Sequence, residues 1–60
     1  MTLDQILVIL QNRKVALVES KKAAIASGDF ERVVIIDNDL DSTINSIESI
    51  TQYKEMNSVV

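Results

Sequence analysis

The sequence of 60 residues has no cysteine, no proline, no histidine and no tryptophan, and only one glycine and two aromatic residues. Without cysteine there is no disulfide framework and no thiolate metal site. Without histidine the commonest general base and the commonest zinc ligand are both missing. Two aromatics, Phe30 and Tyr53, leave little scope for base stacking or for a carbohydrate platform. A net charge of −3 and a pI near 4.6 argue against phosphate backbones and anionic membranes, which require a basic surface. The longest unbroken apolar run, Ile6 to Leu10, is too short to cross a bilayer, and the start Met1-Thr2-Leu3-Asp4 lacks the basic residues of a signal peptide. The expected setting is a complete cytoplasmic chain with no membrane partner, no nucleic acid and no cofactor.

What is present is apolar: 47% of the residues are hydrophobic. With no staple, a chain this small has to rely on burying nearly all of them. The scarcity of glycine and proline points to long helices, and two helices alone leave about half of their apolar surface wet. Self-association is therefore the first expectation.

The one strong punctuation mark is Ser27-Gly28-Asp29, close to the midpoint. Glycine accepts the left-handed conformation that ends a helix, and Asp29 accepts from the free amides that begin the next. Upstream, Thr2-Leu3-Asp4-Gln5 reads as a capping box, with Thr2 as cap and Gln5 reaching back. The boundaries that follow are about 3–27 and 30–56, with a tail Asn57-Ser58-Val59-Val60 that should fray.

At 100° per residue Leu3, Ile6, Leu7, Leu10, Leu17, Val18, Ala24 and Ile25 share one face of the first helix. Val33, Ile36, Leu40, Ile44 and Ile47 share one face of the second, with Ile50 at its edge. A turn this short makes the helices antiparallel neighbours roughly 35–40 Å long. The fold class is all-α: an antiparallel helical hairpin assembling into an oligomeric helical bundle. The competing reading of Val33-Val34-Ile35-Ile36 as a buried strand lacks a second strand to pair with.

Charge divides at the same place. Residues 1–28 carry four basic and two acidic groups, net +2, and residues 29–60 carry two basic and seven acidic groups, net −5. Folding about residue 28 sets positions whose numbers sum to about 57 side by side, bringing Lys21 near Asp37 and Lys14 near Asp39 and Asp41. Such pairs select register more than they stabilise. Ordinary solvated charge is the alternative.

Helix 1 is apolar on more than one side. Ile9, Ala16 and Ala23 recur every seven residues, flanked by Val8, Val15 and Ala26, with Asn12 and Glu19 in the same seam. Phe30, Val34 and Ile35 lie off the main stripe of helix 2, near the turn, an apolar patch for neighbouring subunits or, as the alternative, for a client protein. These eight, Val8, Ile9, Val15, Ala16, Ala23, Phe30, Val34 and Ile35, are the candidate oligomer interface. Scattered surface alanine and valine is the blander account. A dimer forming a four-helix bundle is the simplest closed assembly, and a larger ring of hairpins the next.

Residues 37–48 match much of a twelve-residue calcium loop, with Asp37, Asp39, Asp41 and Glu48 at positions one, three, five and twelve. Against this, Ser42 stands where the loop needs glycine, and Leu40, Ile44 and Ile47 continue the helical stripe. A catalytic site is not expected, because a narrow helical bundle offers little concavity and Ser42, Ser46 and Ser49 have no base beside them.

The arrangement of a helix, Ser-Gly-Asp, and a second helix running from Phe30-Glu31-Arg32-Val33 through Asp39-Leu40 to Thr43-Ile44-Ile47 resembles small helical-hairpin assembly proteins. Those include flagellar-export-type chaperones and short accessory chaperones encoded by tailed bacteriophages. The resemblance implies a non-enzymatic, oligomeric protein-interaction module, an assembly factor or small chaperone of phage-like kind, whose partners are itself and another protein. The alternatives are a structural subunit of a larger particle and a calcium-binding helix-loop-helix.

Overall fold

The computed structural model describes residues 1–58 and consists of two helices, α1 (Leu3–Ser27) and α2 (Phe30–Ser58). They pack along their length into a rod of 50 × 15 × 14 Å, the expected all-α hairpin.

Each boundary has a local cause. At the start of α1 the Thr2 amide donates to Gln5 Oε1 at 2.8 Å and the Gln5 amide donates to Thr2 Oγ1 at 3.1 Å, closing the capping box. At its end Gly28 takes φ 76° and ψ 16°. The Gly28 amide donates to the Ile25 carbonyl at 3.1 Å and the Asp29 amide to the Ala24 carbonyl at 2.9 Å, the paired bonds of a Schellman turn. Asp29 then caps α2, its Oδ1 accepting from the Arg32 amide at 3.3 Å and its carbonyl from the Val33 amide.

A Cβ added at Gly28 would meet nothing within 4 Å, so the cost of a side chain there is conformational alone. Gly28→Ala is expected to destabilise by about 1–2 kcal/mol, the usual penalty of the left-handed region for an L-residue. Urea denaturation of the two proteins measures it, and an unchanged midpoint would show that the turn does not limit stability.

Helix α2 runs two residues beyond the expected end at 56, taking in Asn57 and Ser58. No proline or glycine interrupts it there, so nothing in the local sequence stops the hydrogen-bonded run. The rest of the expected tail, residues 59–60, lies outside the described residues.

The core is thin. Ala24, Ile36 and Leu40 are buried, with Leu17, Val18 and Val33 packed against them. The expected stripes otherwise face inward, half-buried or better, with one correction: Ile25 is 51% exposed. It follows Ala24, which points squarely at α2, and the 100° step carries the larger side chain outward.

Thr43 is the one buried polar side chain among the described residues. Its Oγ1 donates to the Asp39 carbonyl at 2.8 Å, so its hydroxyl is satisfied inside its own helix. Since the carbonyl keeps its backbone partner, Thr43→Val strands no polar group. We expect it to change stability by less than about 1 kcal/mol in thermal unfolding, the lost hydrogen bond being offset by an added buried methyl. A larger loss would mean that the hydroxyl positions the helix.

Candidate protein-interaction surface

Two ion pairs set how the helices stand beside each other. Lys21 Nζ lies 2.7 Å from Asp37 Oδ1, as charge complementarity predicts, and Lys54 pairs with Asp4 at the open end. In both, the residue numbers add to 58, so a residue of α1 stands about level with the residue of α2 that completes that sum. Lys14 is therefore level with Ile44, about 4.5 Å along the axis from the level of Asp41 and about 7.5 Å from that of Asp39. Among the described residues no ion pair joins Lys14 to either aspartate, which corrects that expectation.

Residues 37–48 are helical throughout. The turn that a calcium loop requires is thus not formed, and Asp37 serves the Lys21 pair instead. No group of three or more potential metal-ligating residues occurs among the described residues.

The two flanks of the hairpin differ. Lys21 and Asp37 close one of them. On the other side of the Ala24–Ile36 contact the surface is open along a groove of about 560 Å³, walled by Leu17, Ser20, Ala23, Ser27 and Arg32. It resumes toward the open end as a shallower depression of about 200 Å³ between Leu10 and Arg13 on α1 and Ser42, Thr43 and Ser46 on α2. Small side chains on both helices are what leave this flank hollow.

All eight candidate interface residues are exposed: Val8 55%, Ile9 53%, Val15 62%, Phe30 68%, Val34 60% and Ile35 62%, together with Ala16 and Ala23. They do not form one patch. Ile9, Ala16 and Ala23 fall in register with Arg13, Ser20 and Ser27 on the open flank, at steps of three and four residues. Ile35 follows Arg32 on the same flank of α2. Val8 and Val15 stand 100° further round, on the back of α1; a separate depression lined by Met1, Asp4, Gln5, Val8 and Ile9 borders that side, so Ile9 stands at the edge between the two surfaces. Phe30 and Val34 lie toward the closed flank, near the turn.

Tyr53 and Met56 are exposed too, at 55% and 74%, and were not anticipated. Their steps from Ser49, of four and then three residues, were the available signal. The chain presents 4617 Å² of surface to solvent, whereas a compact monomer of 6.7 kDa presents about 3,900 Å². The excess, about 700 Å², is close to the ~800 Å² that one partner contributes to a standard protein interface.

No described helix is long and apolar enough to cross a membrane. No protein-family model matches the chain, and no curated protein or solved structure matches it either, so its functional reading rests on this surface alone.

Proposed function

We propose that this chain is a non-enzymatic, self-associating protein-interaction module that works as an assembly factor or small chaperone. Its hairpins pack on one another, and the apolar surface that remains is offered to another protein. One observation carries this reading. Six of the chain's large apolar candidates are more than half exposed, while only three apolar residues are buried among those described. A core this small does not stabilise a monomer well, and exposed apolar surface on this scale marks an interaction site.

Light scattering coupled to size-exclusion chromatography at micromolar concentration tests the first half. The expected mass is at least twice 6.7 kDa, and a folded monomer would overturn the reading. The second half predicts that the wild-type protein slows aggregation of a heat-denatured reporter enzyme. Phe30→Ser with Val34→Ser should abolish that protection without changing the assembly mass, and an unaltered protection would remove the tip from the client surface.

A further inference from the structure

We infer that two copies of this chain pair through the open flank, antiparallel, about a two-fold axis that passes beside Ala16. The inference deepens the self-association reading above and rests on it.

The flank consists of two ladders. On α1 it is Ile9, Arg13, Ala16, Ser20, Ala23 and Ser27, and on α2 it is Arg32, Ile35, Asp39, Ser42 and Ser46. Ser20, Ala23, Ser27 and Arg32 line the larger groove and Arg13, Ser42 and Ser46 the smaller, while Ile9, Ala16, Ile35 and Asp39 continue the same ladders at the exposed rim. Because level positions add to 58, each α2 residue has a height on α1: Ser42 stands level with 16, Asp39 with 19, and Ile35 with 23.

A two-fold axis at height 16 exchanges 13 with 19 and 9 with 23. Arg13 of one copy then meets Asp39 of the other, and the second such pair forms by symmetry. Neither residue joins an ion pair within the described chain, where about 9 Å of axial offset separates them. Ile9 of each copy reaches the height of Ala23 and Ile35 on the other, so a large apolar side chain meets the hollow left by a small one. On the axis itself, Ala16 and Ser42 are small enough for the hairpins to approach closely.

Two further features agree. Tyr53, the next step of the α2 ladder after Ser49, stands at height 5 and is carried to 27, beside Arg32 at 26, within reach of a cation–π contact. The exchange of unlike heights also explains the direction of pairing, since a parallel two-fold keeps Arg13 level with the other Arg13 and Asp39 level with the other Asp39, and neither then meets an opposite charge. The excess surface of about 700 Å² per chain is of the size that one partner contributes to a standard interface.

Charge exchange on the full chain tests this. Arg13→Glu alone and Asp39→Arg alone should each weaken the dimer about tenfold or more, because each homodimer then carries two like-charge contacts. Mixing the two variants in equal amounts should restore dimer mass, since in the mixed dimer Glu at 13 meets Arg at 39 and Asp39 meets Arg13. The double variant in one chain should dimerise like wild type, and this remains decisive if a single variant does not fold.

Single variants that dissociate without rescue on mixing would overturn the Arg13–Asp39 pairing. A dimer indifferent to every substitution would overturn this face while leaving self-association intact. A wild-type monomer would overturn both.

Discussion

Leu40→Ala is expected to remove most of the stability of this hairpin. Leu40 is one of three buried apolar residues, in a cluster with Ala24 and Ile36 against which Leu17, Val18 and Val33 pack. Truncating a buried leucine costs about 2–5 kcal/mol, through lost transfer energy and the cavity left behind. A single core in a chain of this size supplies only about 3–5 kcal/mol. The variant should therefore be largely unfolded at room temperature when dilute, as measured by loss of the helical circular dichroism signal. Raising its concentration should recover some helicity, because association of folded hairpins shifts the equilibrium by mass action. A loss below about 1 kcal/mol would place the organising core elsewhere.

The second large effect falls on association and leaves the fold intact. Ala16→Glu should weaken self-association more than a hundredfold. Ala16 is exposed in the single hairpin, and replacing alanine by glutamate inside a helix costs only about a few tenths of a kcal/mol, so the monomer keeps its helices. At the proposed two-fold axis the substitution sets two carboxylates against each other at the closest approach of the copies. Like charges so placed cost several kcal/mol. Sedimentation equilibrium should report a helical monomer. Val15→Glu is the matched comparison: it is the adjacent residue, similarly exposed, but 100° round the helix on the back of α1. Its mass should be that of the wild type. If both variants dissociate equally, the back of α1 is the interface instead.

Much of the hairpin was legible in the chain because its signals are local. The Thr2–Gln5 box, the left-handed Gly28 and the Asp29 cap each involve residues within a few positions of one another. Their geometry depends on almost nothing else. The inward stripes were legible for a related reason, as helical periodicity converts spacing directly into facing. Thr43 escaped that reading because it is polar. Its place was marked all the same, three residues after Leu40 and four before Ile47, within the run 33, 36, 40, 43, 47, 50 that faces α1.

What could not be read was the axial level of one helix against the other. The expected sum of about 57 is 58 in both ion pairs, and a step of one residue is about 1.5 Å. Lys21 and Asp37 tolerate that shift, since they stand level in the structure. Lys14 does not, as its expected partners were already several residues away. The Lys54–Asp4 pair at the open end joins residues fifty positions apart, and no local pattern indicates it.

The sequence by itself determined two helices, where each begins, the glycine that turns the chain, and the opposite charge of its halves. Those properties follow from caps, periodicity and composition, which act over one or two turns. Only the tertiary structure decided how the helices are rotated about their own axes when they meet. That rotation is set by the close contact of small Ala24 with Ile36 and by the ion pair that closes one flank. It divides eight exposed residues, read from the sequence as a seam on α1 and a patch at the tip of α2, between an open flank carrying Ile9, Ala16, Ala23 and Ile35 and the separate surfaces of Val8, Val15, Phe30 and Val34. Periodicity supplies the angle between residues on one helix, whereas the angle between two helices is a property of their packing.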